Sequence, residues 1–248
     1  MKKLCMAIVA VSFCVVSMVS TVKAEGDLSA GIYAGMYNKY LFRGVDLSDN
    51  KWVSQFGADL SYKGFTLSYW SNLLTHDGTI LGANFESGDL SETDITLNYS
   101  YTPIDLLTLN VGNTFYSLEN FEDTNELYLK TTVNTILSPT FAMYWDWDQS
   151  KETGLFYSLS VGHSVELMKN LGLNLGALIS YNQANFSVSE GFNNWNNYEL
   201  SAGLNYSLTD KLNLSTSYTY SNALSDKARD VGGITDESLY GLKVGYTF

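Results

Sequence analysis

Apolar and small polar side chains alternate along most of this chain, and this alternation predicts its elements. In the first such segment, one parity holds Leu28, Ala30, Ile32, Ala34, Met36, Tyr40 and Phe42. The other parity holds Ser29, Gly31, Tyr33, Gly35, Tyr37, Lys39 and Arg43, and only Asn38 and Leu41 break the pattern. Successive side chains of a β-strand point to opposite faces, so this period of two predicts a strand with one apolar face.

The same pattern recurs along the chain and predicts twelve strands. The second strand has an apolar side formed by Trp52, Phe56, Ala58, Leu60 and Tyr62, and the third has one formed by Phe65, Leu67 and Tyr69. The other nine are predicted near 93–101, 106–118, 124–136, 140–148, 153–166, 171–183, 198–208, 212–222 and 237–248. Most are about 10 residues long, the length that a tilted strand needs to cross a bilayer.

The connections between these strands alternate between short and long. Short turns are predicted at 63–64, 102–105, 138–139, 168–170 and 209–211, and longer, more polar loops at 46–50, 74–92, 119–123, 149–152, 184–197 and 223–236. An even number of strands with this alternation is typical of an up-and-down barrel that has both termini on its short-turn side. We therefore expect the termini in the periplasm and the long loops outside, while the order and role of 74–92 and 184–197 stay open.

The direction of the alternation separates a membrane barrel from a soluble one. A soluble barrel or sandwich turns its large side chains inward, where they fill a core. Here the face opposite the large residues is rich in Gly, Ser, Thr and Asn, which are too small to fill a wide interior. The sequence therefore predicts an all-β fold, a transmembrane antiparallel up-and-down barrel of twelve strands.

The N-terminal segment has the features of a secretory leader. Lys2 and Lys3 precede an apolar run from about 4 to 19, and small residues surround a cleavage site near Ala24. We expect residues 1–24 to be a signal peptide and 25–248 to be the outer-membrane barrel of a Gram-negative bacterium. Without the leader the basic side chains number 14 − 3 = 11, and the net charge becomes 11 − 26 = −15. Both cysteines lie in the leader.

The last strand carries a further signal. Counted back from Phe248, the side chains of Tyr246, Val244, Leu242 and Tyr240 face the lipid. The aromatic residues Tyr246 and Phe248 resemble the C-terminal signal that the barrel assembly machinery reads. The expected partners are therefore that machinery, outer-membrane lipids and lipopolysaccharide, and the acidic balance of the chain argues against a nucleic acid.

Strand parity also places a set of charged side chains inside the barrel. They are Lys39, Arg43, Lys51, Asp59, Glu126, Lys130, Asp146, Asp148, Glu199 and Lys243. One interpretation is a salt-bridge network that fills the lumen, because buried charges are usually paired. The other is a channel constriction with opposed charges, which would orient a polar solute. Because the last strand must close against the first, Lys243 is expected to form a basic wall with Lys39 and Arg43.

Three functions agree with this pattern to different degrees. The first is passive diffusion of small neutral or cationic polar solutes, since acidic loops disfavour anions at the mouth. The second is a closed structural or surface-interaction barrel. The third, remote alternative is a lipid hydrolase with an outward Ser–His pair, but Ser164 points inward while His163 points outward. No spacing matches a calcium loop, a metal cluster or a phosphate-binding loop, so we predict neither an enzyme nor a cofactor.

One stretch carries a family resemblance. Residues Tyr40-Leu41-Phe42-Arg43-Gly44, with Ser48 four residues after the glycine, precede Gly64 and Tyr69-Trp70-Ser71-Asn72. This stretch, over 40–72, resembles the family of uncharacterised proteobacterial outer-membrane proteins labelled Gcw_chp. The resemblance implies an outer-membrane location and a barrel, and no particular activity. We interpret Tyr40 and Phe42 as facing lipid and Arg43 as pairing with an inward acid, with Glu199 nearer than Asp146 or Asp148.

Overall fold

In a computed structural model, which describes residues 28–248, the chain forms one closed antiparallel barrel. The elements in chain order are β1 Leu28–Tyr37, β2 Leu41–Phe42, β3 Val45–Asp46, β4 Val53–Tyr62, β5 Phe65–Leu74, β6 Gly78–Ile80, β7 Ala83–Phe85, β8 Leu90–Ile104, β9 Leu107–Leu118, β10 Thr124–Val133, β11 Thr140–Asp146, β12 Leu155–Met168, β13 Leu171–Gln183, β14 Asn193–Ser207, β15 Leu212–Ala223, the helix α1 Asp226–Asp230, and β16 Glu237–Thr247. The predicted leader lies outside the described residues.

The wall of the barrel consists of twelve of these strands, as predicted. Its order is β1-β4-β5-β8-β9-β10-β11-β12-β13-β14-β15-β16, and β16 pairs with β1 in register Tyr37↔Gly241 to close it. The short turns, the start of β1 and the end of β16 lie at one end, here called the terminal end. The longer connections lie at the other, here called the long-loop end. The predicted alternation of short and long connections is therefore confirmed.

The outer face is apolar and has an aromatic girdle near each end. The exposed aromatic side chains near the long-loop end are Trp52, Trp145, Trp147, Trp195 and Tyr240, and those near the terminal end are Tyr62, Phe65, Tyr99, Tyr101, Tyr206, Tyr246 and Phe248. Exposed leucines and isoleucines, such as Leu67 and Leu97, lie between the girdles. A surface of this kind matches the hydrocarbon layer and interfaces of a bilayer, and water would not stabilise it.

Five additional elements do not belong to the wall. The hairpins β2–β3 and β6–β7 lie in the connections after β1 and β5, and α1 lies in the connection before β16. Ser225 is the N-cap of the helix, and its hydroxyl accepts a hydrogen bond from the Ala228 amide at 3.1 Å. Within residues 28–248 no helix is long and apolar enough to cross a membrane.

Several predicted boundaries are wrong. The first strand ends at Tyr37 rather than near Arg43, because the chain turns inward at Asn38, where the alternation breaks. The predicted loop 74–92 contains the β6–β7 hairpin and the start of β8, and the predicted loop 184–197 ends where β14 begins at Asn193. In the last two cases, residues whose polar composition resembles a loop form strands.

Candidate functional site in the barrel lumen

The connection from β1 to β4, residues 38–52, folds into the barrel and crosses it; we call it the crossbar. Its tip is the two-residue turn of the β2–β3 hairpin, Arg43 and Gly44, with φ of 50° and 87°. Two positive φ values are what the tightest class of hairpin turn requires, and glycine adopts them without a steric penalty. A Cβ on Gly44 would lie 3.1 Å from the side chain of Asn197 on β14, so the tip fits closely against that strand.

Arg43 fixes the tip to the opposite side of the lumen. Its guanidinium donates to both carboxylate oxygens of Glu126, at 2.9 and 2.7 Å. The side chains of Arg43 and Glu126 are only 2% and 1% exposed. Glu126 belongs to β10, the fifth strand round the wall from β1, so the crossbar spans nearly the full width of the barrel. This bidentate pair is the geometry in which arginine binds carboxylate most strongly.

Neutral groups complete the surroundings of the guanidinium. It also donates to the side-chain oxygens of Asn185 at 3.0 Å and Ser187 at 2.8 Å, both in the connection before β14. Its central carbon lies 4.7 Å from the ring centre of Tyr144 and 4.2 Å from that of Phe156. Aromatic faces attract cations, and hydrogen bonds satisfy buried donors, so this charge is stabilised despite its burial.

The base of the crossbar is held by a second cation. Lys39 is hydrogen-bonded to Glu237 of β16 and to Asn50, and its ammonium lies 3.8 Å from Asp46. The Tyr40 amide donates to the Ser48 hydroxyl at 2.9 Å, which ties the two arms of the crossbar together. Both ends of this segment are therefore anchored by buried charges.

An apolar cluster supports the crossbar from the side. Tyr40 is 3% exposed and packs against Trp70, with ring centres 5.3 Å apart. Ile80 and Phe85 of the β6–β7 hairpin belong to the same cluster, and Phe42 packs against it. The interpretation of Tyr40 and Phe42 as lipid-facing is therefore wrong, because the chain has left the wall before it reaches them.

The residue predicted as the partner of Arg43 is also wrong, although the prediction that the partner is an inward acid is right. The inward acid is Glu126, whereas Glu199, buried on β14, accepts from Asn197 at 3.0 Å. Asp146 accepts from Thr124 at 2.8 Å and from three backbone amides of the following turn. Neighbouring strands do not decide the pairing, because the hairpin carries Arg43 across the lumen.

Two other predicted lumen charges have different positions from those expected, and the basic wall predicted around Lys243 does not form in the described chain. Asp148 is exposed beyond the end of β11 and accepts from Asn125 at 2.9 Å. Lys51 precedes β4, and its side chain is 43% exposed and 4.0 Å from Asp49. Lys243 is inward on β16, but Lys39 is paired with Glu237 and Arg43 lies across the barrel, so the expected basic wall is absent from the described seam.

The half of the lumen nearer the terminal end is lined differently. Its wall carries half-buried small polar side chains: Ser61, Thr66, Ser68, Thr96, Asn98, Ser100, Asn110, Ser201, Asn205, Ser215 and Ser217. Among them lie the predicted inward charges Asp59, Lys130 and Lys243. The Lys243 ammonium lies 5.4 Å from the ring centre of Tyr33.

Inward tyrosines of this wall lie flat over glycines of neighbouring strands. A Cβ on Gly57 would lie 2.4 Å from the Tyr33 hydroxyl, and one on Gly112 would lie 2.5 Å from that of Tyr128. The missing side chains allow the rings to lie along the wall, so they do not project across the lumen.

Sequence reasoning missed the asparagines that surround the crossbar tip. The side chains of Asn182, Asn185, Asn196 and Asn197 are fully buried, and the Asn196 amide donates to the Arg43 carbonyl at 2.9 Å. The run Asn193-Asn194-Trp195-Asn196-Asn197 is typical of a loop, and no periodicity marks these residues as interior. Within residues 28–248 no group of three or more His, Cys, Asp or Glu side chains is placed to hold a metal ion.

The fold is similar to that of several solved outer-membrane proteins. The NanC porin matches with a TM-score of 0.55 and 13% identity over 88% of this chain and 98% of its own. An outer-membrane channel from Pseudomonas putida F1 matches with a TM-score of 0.54 and 9% identity, over 94% and 100% of the two chains. The KdgM porin, in complex with disordered oligogalacturonate, matches with a TM-score of 0.53 and 12% identity, over 89% of this chain and 99% of its own. No known family profile and no curated protein sequence matches the chain.

Proposed function

We propose that this protein is an outer-membrane channel for small neutral or cationic polar solutes, and that the crossbar limits its width. The observation that carries this proposal is the wall of the terminal-end half, which is lined by half-buried hydroxyl and amide side chains. A closed structural barrel has no need of such a wall, whereas a water-filled passage does. The likeness in fold to porins and channels supports it.

The charge distribution supports the preference for neutral or cationic solutes. The long-loop half has more buried carboxylates than buried cations: Glu92, Glu126, Asp146, Glu199 and Glu237 against Lys39 and Arg43. The sequence as a whole is strongly acidic, with a net charge of −12. A negative field at the mouth lowers the local concentration of anions and raises that of cations.

This proposal includes the cellular setting. The exported chain would lie in the outer membrane, with its long loops outside and lipopolysaccharide and phospholipids around its girdles. Tyr246 and Phe248 would be read by the barrel assembly machinery. Tyr246 faces outward, and its ring centre lies 5.2 Å from that of Phe248, so both rings are accessible on the outer face. Membership of the Gcw_chp family remains part of the proposal.

Conductance in planar bilayers tests the channel. We expect small single-channel steps from the wild-type protein and larger ones from Arg43→Ala/Glu126→Ala, because the double variant releases the crossbar tip without leaving a buried charge. The matched control is Arg229→Ala, which removes an exposed arginine that pairs with Asp226. If the double variant and the control both keep the wild-type step, the crossbar does not limit the channel.

A closed structural barrel is the second candidate, and the burial of the crossbar tip favours it. Arg43, Glu126 and the surrounding asparagines leave almost no exposed surface at that level. A purified, folded protein that shows no conductance either as wild type or as the double variant would establish this second function and exclude the channel.

A further inference from the structure

The terminal-end half of the lumen presents an ammonium group without an acidic partner. Lys130 points inward from β10 and is half-buried. Within residues 28–248 no carboxylate lies at salt-bridge distance from it, although Lys39 and Arg43 both have one. A lysine that only needed hydration could extend into the solvent at the barrel end. Lys130 instead lies against the wall.

Two aromatic rings fix the position of this ammonium. Its nitrogen lies 4.7 Å from the ring centre of Tyr128 and 5.5 Å from that of Tyr144. The Tyr128 ring is itself immobilised, since its hydroxyl donates to the Asn98 side chain at 2.9 Å and its body lies over Gly112. The aromatic faces stabilise the cation but neutralise none of its charge.

Two polar side chains that make no hydrogen bond within the described chain lie in register with Lys130 on the neighbouring strands. The register places Ser100, Asn110 and Lys130 side by side on β8, β9 and β10. The Ser100 and Asn110 side chains are half-buried and make no hydrogen bond with the rest of the described chain. A hydroxyl, an amide and an ammonium in adjacent positions offer several donors to one anionic group. Hydrogen bonds from an ammonium to a carboxylate are among the stronger ones in proteins.

We infer that Lys130, Asn110 and Ser100 form a subsite for the carboxylate of a zwitterionic solute. This inference rests on the proposed channel and names its solute class. A solute that bears only negative charge is disfavoured in the acidic long-loop half, while one that bears only positive charge gains nothing at Lys130. A small molecule with both an ammonium and a carboxylate has no net charge. Its ammonium is favoured in the acidic long-loop half, and its carboxylate can bind Lys130 in the terminal-end half.

Channel block by three related peptides tests the subsite. Diglycine is the zwitterion, diglycine amide the cation and N-acetyldiglycine the anion. We expect diglycine to reduce the wild-type conductance at a lower concentration than its amide does. Lys130→Met keeps the length of the side chain and removes the charge, so it should raise the half-blocking concentration of diglycine roughly tenfold. Lys169→Met, at an exposed turn of the same end, is the matched control.

A second variant and a second measurement keep the outcomes distinct. Asn110→Ala should weaken the block by diglycine less than Lys130→Met does. This variant places no methionine in the barrel wall, so it tests the subsite even if Lys130→Met fails to fold. Liposome swelling should show faster entry of diglycine than of N-acetyldiglycine. Equal block of Lys130→Met and Lys169→Met by diglycine, or equal block of the wild type by diglycine and its amide, would overturn the subsite. Absence of all conductance and swelling would instead overturn the proposed channel.

Discussion

The two halves of the lumen use the same strands in opposite ways, and β10 shows this within four residues. Glu126 and Lys130 share the inward parity of that strand. Glu126, in the long-loop half, is paired with Arg43 and has a 1% exposed side chain. Lys130, in the terminal-end half, is half-buried and has no carboxylate partner among the described residues. The difference arises from the crossbar, which fills one half and does not reach the other. Strand parity therefore places a charge inside, and the connections decide whether it is neutralised.

The largest effect is expected from breaking the pair in the long-loop half. Arg43→Ala leaves Glu126 buried without its cation, and removal of one partner of a buried pair costs about 3–5 kcal/mol. The double variant Arg43→Ala/Glu126→Ala should lose less. Urea unfolding in detergent micelles, followed by the gel shift between folded and unfolded forms, measures both. Equal losses of unfolding free energy in the single and double variants would mean that the Arg43–Glu126 pair does not hold the crossbar in place.

A smaller loss of stability is expected from crowding the flat tyrosines. A Cβ on Gly241 would lie 2.2 Å from the Tyr37 ring, whereas one on Gly245, on the same strand, would meet nothing closer than 3.9 Å. Gly241→Ala should therefore cost about 1–3 kcal/mol by overpacking. The same unfolding measurement applies, with Gly245→Ala as the control. A similar loss of unfolding free energy at both glycines would contradict the view that the tyrosine rings need a neighbouring residue without a Cβ.

The smallest effect is expected in ion selectivity, where the two halves should respond with opposite signs. Glu199→Gln removes a buried carboxylate from the long-loop half and should make the channel less cation-selective. Lys130→Met removes an ammonium from the terminal-end half and should make the channel more cation-selective. Reversal potentials in a salt gradient measure both shifts. Shifts of the same sign would mean that the two halves are not electrostatically distinct.

Much of the wall could be predicted because its signal is local. The alternation of Leu171, Leu173 and Leu175 with smaller residues depends only on which side of a strand meets lipid. It correctly indicated the strand count, the order of short and long connections and the inward direction of Glu126, Lys130 and Lys243. The crossbar could not be predicted in this way. Tyr40 and Phe42 continue the parity of β1, and a hairpin inside the lumen alternates as a wall strand does.

The sequence by itself determined that this chain closes into a twelve-stranded barrel with its large apolar side chains outward, because a period of two fixes which residues share a face. Only the tertiary structure decided what the inward residues meet. Arg43 lies far from Glu126 and Asn185 in sequence, and their contact requires the turn at Arg43 and Gly44, the closure of the wall and the width of the lumen together. Alternation records that the two faces differ, but it carries no information on which connection enters the space between them.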